Sequence, residues 1–176
     1  SVRAQPAASF VADVGLRWDH ESLSQGEHET WSPRANLLWM PGERMQLRAA
    51  WGRYYQAQAV NELQVPDGVT EFSPPQRADH WVAGFEYRHP AAIDLRLEVY
   101  QKEYRQLRPR FENMFNSAVL LPELKPDRVR IAPESARARG LELSISRRAE
   151  SPLDWWFAWS WAEVTDQLPD ASTHRS

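Results

Sequence analysis

The 176-residue chain has no cysteine, only seven glycines and no surplus of positive charge. It also has no apolar run approaching the roughly 18 residues that a membrane-spanning helix needs. Without cysteine there is no disulfide framework, no thiolate zinc site and no thiol nucleophile. A mean hydropathy of −0.65 leaves no room for helical membrane spans. The net charge of −3 provides no electrostatic footprint for nucleic acid. The first residues lack the basic-then-apolar order of a secretory leader, so an exported protein would carry its leader outside them.

Tryptophan, by contrast, is plentiful: nine in a hydrophilic chain. Helical spacing is poor, whereas strict alternation recurs, the mark of a strand with one buried face. Phe10, Ala12, Val14, Leu16 and Trp18 share one face of the first segment. Pro33, Ala35, Leu37 and Trp39 share one in the second, and Met45, Leu47, Ala49 and Trp51 in the third. Trp81, Ala83, Phe85 and Tyr87 follow, then Ile93, Leu95, Leu97 and Val99, then Leu141, Leu143 and Ile145. Trp155, Phe157, Trp159 and Trp161 close the series. The residues between are mostly polar, with Leu38 and Trp156 as exceptions. The pattern predicts seven antiparallel strands.

Short connections containing proline (Met40–Glu43, His89–Ala92, Ala149–Leu153) alternate with long polar ones (His20–Thr30, Gln56–Ala78, Arg105–Ala136). All long connections therefore emerge at one end of the sheet. Pro33 lies near the start of its predicted strand, where a missing donor is tolerated. If the His89–Ala92 turn sets Arg88 opposite Asp94, then Glu86 faces Arg96, Tyr87 faces Leu95 and Phe85 faces Leu97. Opposite charges on one side and apolar pairs on the other stabilise an antiparallel pair.

Two surroundings suit the apolar face: the core of a soluble β-sandwich, or lipid around a transmembrane barrel. The segment from Ile93 to Tyr104 spans roughly 40 Å at about 3.3 Å per residue, or some 28 Å when tilted by about 45°, close to the hydrocarbon thickness of a bilayer. Trp18, Trp31, Trp51, Trp81 and Trp161 lie towards the long-loop end, and Trp39, Tyr87 and Trp155 at the short-turn end; Trp159 is counted with this aromatic girdle. Aliphatic residues lie between, as expected when indole rings seek the headgroup region. Arg34, Arg48, Glu86, Arg88, Asp94, Arg96, Glu98 and Glu142 fall on the other face and are assigned to a barrel lumen. The fold expected is all-β: an antiparallel up-and-down transmembrane β-barrel segment.

The residues also resemble a known family. Ser32-Pro33-Arg34-Ala35-Asn36-Leu37 and Gln46-Leu47-Arg48-Ala49-Ala50-Trp51-Gly52-Arg53 resemble the barrel of TonB-dependent outer-membrane receptors. So do Asn61-Glu62-Leu63, Gly84-Phe85-Glu86-Tyr87-Arg88 and Ala136-Arg137-Ala138-Arg139-Gly140-Leu141-Glu142-Leu143, in that order. The resemblance implies that residues 1–176 are about seven strands of a 22-stranded barrel, with the plug domain, TonB box and C-terminal strands absent from this chain. It implies residence in the outer membrane of a Gram-negative bacterium, among lipid and lipopolysaccharide. It also implies uptake of a scarce ligand such as a ferric siderophore, with energy from the TonB complex acting through a plug.

No catalytic set, cofactor or metal site is expected. The histidines (His20, His28, His80, His89, His174) are scattered, and His20 and His28 share an acidic loop with Asp19, Glu21, Glu27 and Glu29 that suits solvent. Glu86, Asp94 and Glu98 have arginine neighbours, which favours ion pairs over a glycosidase carboxylate pair. The candidate ligand-facing or plug-facing residues are Arg53, Tyr54, Tyr55, Asn61 and Glu62, where a strand leaves the membrane; charge and stacking there suit an anionic aromatic chelate. The loop from Arg105 to Ala136 adds Arg108, Arg110, Lys125, Arg128 and Arg130 with Phe111 and Phe115, a mix suited to an anionic ligand or to lipopolysaccharide phosphates. A soluble all-β carbohydrate-binding module and a porin-like barrel are the alternatives.

Overall fold

The computed structural model describes residues 1–22, 24, 28–113, 128–147 and 153–168. Eight strands form one antiparallel sheet in the order β1 (Val2–Ala7), β2 (Phe10–Glu21), β3 (His28–Gly42), β4 (Met45–Gln56), β5 (Gln76–His89), β6 (Ile93–Arg105), β9 (Ser135–Arg147) and β10 (Trp155–Gln167). Between β6 and β9, β7 (Arg110–Asn113) and β8 (Arg128–Ile131) pair as a separate ribbon. Within the large sheet, chain neighbours are also spatial neighbours, an up-and-down meander. β1 and β10 are not paired with each other, so the sheet is open.

The seven alternating segments all form strands, and the structure extends most of them towards the long-loop end. β3 runs 15 residues and β6, β9 and β10 each run 13, so a 45° tilt would carry a 13-residue strand about 30 Å across a bilayer. β1 is an eighth strand beyond the seven predicted, its alternation of Val2, Ala4 and Pro6 with Arg3 and Gln5 being brief. It is short, and its register with β2 shifts between Ala4 and Ala7, around Pro6, which cannot donate to a ladder.

Proline also explains two departures from the predicted second strand. Pro33 lies inside β3, opposite Leu16 of β2, rather than near its start, and the β3–β4 ladder ends beside it at Arg34–Gly52. The turn expected at Met40–Glu43 sits later, at Glu43-Arg44, after a register shift between Trp39 and Gly42 that accommodates Pro41. The predicted turn at Ala149–Leu153 lies mainly outside the described residues. The hairpin at His89–Ala92 has the expected register, with Arg88 opposite Asp94, Glu86 opposite Arg96, Tyr87 opposite Leu95 and Phe85 opposite Leu97.

Among the described residues no hydrophobic side chain is buried. Trp18, Trp31, Trp39 and Trp159 are each about half exposed, as are Leu37 and Phe157. A chain of this length folding around its own core would enclose such groups. Here they line one face of a single layer. Trp18 pairs across strands with Trp31, and Trp51 with Trp81. Leu47, Phe85, Leu97 and Leu143 register in one apolar row. Trp159 extends that row opposite Leu143, and Trp39 extends it at the other side opposite Leu47. Trp156 points from the polar face and is 79% exposed.

Candidate functional site

The polar face is organised by ion pairs. Arg48 of β4 reaches Glu86 of β5 at 3.0 Å and Glu98 of β6 at 3.1 Å. Arg96 lies 3.6 Å from Glu86 and 3.5 Å from Glu98. Two arginines and two glutamates thus alternate across three strands. Arg88 and Asp94 add a looser pair at 3.5 Å. Glu142 of β9 stands opposite both Glu98 and Ser160. Arg34 lies across Gly15, its register partner.

Three further glycines on this face make room for large neighbours, as Gly15 does for Arg34. A Cβ at Gly84 would sit 2.5 Å from Nε of Arg48, and one at Gly140 would meet the Tyr100 ring at 2.5 Å and the Trp161 carbonyl oxygen at 2.8 Å. At Gly52 the neighbour is the Tyr54 hydroxyl, at 2.7 Å. Bare backbone at these positions lets arginine and tyrosine lie flat on the sheet.

The five candidate residues at the long-loop end do not converge on one point. Tyr54 is on the polar face, its ring centroid 4.8 Å from that of His80, which in turn lies 6.2 Å from Tyr104. Arg53 and Tyr55 are on the opposite face, two and four residues beyond Trp51. Adjacent strand residues point to opposite sides of a sheet, so the two sets meet different surroundings. Arg53 donates from Nε to Asp79 Oδ1 at 2.7 Å, and Arg77 donates from Nε to Asp79 Oδ2 at 3.0 Å. Asp79 is 3% exposed, the most enclosed charged residue among those described. The sequence reading missed it. The signal was available: Trp51 opposite Trp81 sets Arg53 opposite Asp79.

Asn61 and Glu62 belong to a loop built of two short 3-10 turns, Val60–Glu62 and Val65–Asp67. Glu62 accepts from the Ala59 backbone N–H at 2.9 Å and pairs with Arg108. The Ala59 N–H first, and Arg108 second, hold its carboxyl below the ordinary carboxylate value. Arg108 also donates to the carbonyl of Ala57 at 3.2 Å. The amide of Gln58, buried beneath the loop, donates to the Glu62 carbonyl at 3.2 Å and accepts from the Ser73 N–H at 2.9 Å.

The β7–β8 ribbon is fastened to this loop and to the sheet. Arg128 pairs with Asp67 at 2.9 Å, both side chains only about a tenth exposed, and lies 5.6 Å from the Phe111 ring. Arg110 bridges Glu112 at 2.6 Å and Asp166 of β10 at 2.8 Å. These carboxylates raise its pKa further. Between loop and ribbon is a cavity of about 780 Å³, bordered by Glu62, Tyr104, Arg108, Arg110, Phe111 and Arg130. Tyr104 and Asp166 bring polar-face residues into its wall. Phe115 and Lys125 lie outside the described residues, as does Glu27. The cavity can hold a molecule of drug size, and it offers Arg108, Arg110 and Arg130 together with Glu62, Glu71 and Asp166, beside the rings of Tyr104 and Phe111.

A one-layer antiparallel meander with an apolar face and an ion-paired face, topped by a loop cavity, defines a piece of a transmembrane β-barrel. Residues 3–175 match the TonB-dependent receptor-like β-barrel family, and the chain belongs to it. Solved structures of similar fold include the alcaligin outer-membrane receptor FauA from Bordetella pertussis (14% identity, TM-score 0.60, 93% of this chain and 29% of that one). The FrpB iron transporter from Neisseria meningitidis is similar in its F3-3 variant (17% identity, TM-score 0.64, 91% and 24%). Its F5-1 variant in apoprotein form gives 14% identity, a TM-score of 0.65 and the same coverage. The chain thus spans about a quarter of the length of these proteins. No curated protein sequence matches it.

Proposed function

We propose that the chain forms part of the wall of a Gram-negative outer-membrane receptor that imports a scarce ligand, such as a ferric siderophore, with energy delivered by TonB through a plug. The observation that carries this reading is the sheet with no buried hydrophobic side chain among the described residues, apolar on one face and ion-paired on the other. In this reading lipid covers the apolar face, and the tryptophans near its two ends meet the headgroups. Arg34, Arg48, Glu86, Arg88, Asp94, Arg96, Glu98 and Glu142 face a lumen and the plug. Tyr54, Asn61 and Glu62 belong to the lumen side of the mouth, whereas Arg53 and Tyr55 brace its outer rim. The similar solved proteins are an alcaligin receptor and an iron transporter, which supports an iron-bearing ligand. The family's members transport and do not catalyse, so the polar carboxylates act here as lumen ion pairs.

Uptake of labelled ferric chelates tests the reading in cells with the gene deleted, restored, or restored in a strain lacking TonB. Loss on deletion, recovery on restoration and no recovery without TonB are expected. A protein recovered soluble without detergent and binding glycans would overturn it in favour of a carbohydrate-binding module.

A further inference from the structure

The connection from β6 to β9 is rich in arginine, yet the cavity it helps to wall is not basic. Among the described residues that border it are three arginines, Arg108, Arg110 and Arg130, and three carboxylates, Glu62, Glu71 and Asp166. Two of the arginines are already engaged. Arg108 pairs with Glu62 at 2.5 Å and donates to the carbonyl of Ala57. Arg110 pairs with Asp166 at 2.8 Å and with Glu112 at 2.6 Å. Arg130 and Glu71 remain, one of each sign.

A guanidinium group held by carboxylates of its own chain has little attraction left for an anion. An entering anion would also meet those carboxylates at the same range as the arginines. The rest of the wall is neutral. Thr70 and Gln76 bring groups that both donate and accept hydrogen bonds, and Val69, Leu107 and Phe111 bring apolar surface.

Ferric chelates differ in what they ask of such a wall. In a ferric trihydroxamate, three singly ionised groups cancel the charge of iron(III), which leaves a neutral complex with amide-like edges. In a ferric triscatecholate, three doubly ionised groups leave three negative charges, which call for unpaired cations.

We infer that this cavity selects a neutral, hydroxamate-type ferric chelate over a trianionic catecholate one. The inference rests on the reading of the chain as part of an iron receptor and names the ligand class for it. Arg108 and Arg110, which the sequence offers to an anionic ligand, serve here to fasten loop, ribbon and sheet together.

The test uses the complete receptor purified in detergent. Binding is measured for two neutral trihydroxamates, ferrichrome and ferric coprogen, and for two trianionic triscatecholates, ferric enterobactin and ferric bacillibactin. Wild type is expected to bind one of the neutral chelates at least about tenfold more tightly than either trianionic one. Glu71→Lys adds a cation to the wall at a residue that forms no ion pair among those described, and is expected to narrow the preference at least about threefold. Glu43→Lys makes the same charge change in the β3–β4 turn, at the opposite end of the sheet, and is expected to keep the wild-type preference. Heat-modifiable gel migration checks that each variant is folded. Equal or tighter binding of a trianionic chelate overturns the inference and leaves an iron receptor intact. An unchanged preference in Glu71→Lys, or the same narrowing in both variants, overturns the cavity as the selecting site. If none of the four binds, the ferric chelate that receptor-bearing cells accumulate is isolated; a neutral one supports the inference and an anionic one overturns it. No TonB-dependent uptake of any ferric chelate overturns the receptor reading beneath it as well.

Discussion

At the scale of single residues, the chain's tolerances follow from enclosure. Asp79 is held by two arginines that came to it from different strands, Arg53 26 residues away and Arg77 two. Replacing it with alanine leaves both guanidinium groups facing each other without a counter-charge. Asp79→Ala is expected to cost about 2–3 kcal/mol in detergent unfolding, below the value for a fully buried pair because the arginines can reach water. Gly140 is constrained differently. A methyl group there strikes the backbone oxygen of Trp161, which cannot swing aside as an arginine can. Gly140→Ala is expected to cost about 1–3 kcal/mol. Gly42→Ala, which meets no atom within 4 Å, is expected to unfold close to wild type. Unfolding followed by tryptophan emission separates the two.

At the scale of elements, the loop over the barrel mouth depends on a few polar staples. The Glu62 carboxylate binds the Ala59 N–H and Arg108 when ionised, and its pKa is lowered from the model-compound value of 4.5. A depressed carboxylate contributes its full effect above its ordinary pKa and loses it as pH falls through the depressed value. Amide exchange of residues 57–75 is therefore expected to accelerate as pH drops below about 4.5, after correction for intrinsic rates. Glu62→Gln, with no charge to lose, is expected to show no such step. The β5–β6 hairpin offers a second expectation. Ala92 adopts φ +56°, the left-handed region that glycine occupies without strain. Ala92→Gly is expected to stabilise the hairpin by up to about 1 kcal/mol, read as slower unfolding, since strain relief exceeds the added freedom of the unfolded chain.

At the scale of the whole molecule, the absence of buried hydrophobic side chains among the described residues makes the surroundings part of the fold. Leu97 lies in the middle apolar row between Phe85 and Leu143. Leu97→Arg in the complete receptor is expected to cost about 2–4 kcal/mol in a bilayer, whereas Glu142→Gln on the polar face is expected to change stability little. Alternation in the sequence determined the two faces, because side chains leave a strand on opposite sides at every step. It was consistent with the β5–β6 register: an alignment that sets Arg88 against Asp94 also sets Glu86 against Arg96 and pairs the apolar residues, and the structure has that alignment. It left β1 unassigned, although Val2, Ala4 and Pro6 alternate with Arg3 and Gln5, because six residues that include a proline are too short a run to stand out. Nor did it reveal the β7–β8 ribbon, whose strands are four residues each and are fastened by Arg128–Asp67 and Arg110–Asp166. Alternation also separates Arg53 and Tyr55 from Tyr54, whereas the enclosure of Asp79 between Arg53 and Arg77 came from the tertiary structure. Tryptophan placement, legible as two levels, gained its meaning only when the sheet proved to have no second layer. The physical reason is common to these cases. Periodicity is a property of one strand, whereas ion pairs, loop staples and the medium against a face depend on which distant segments the fold makes adjacent.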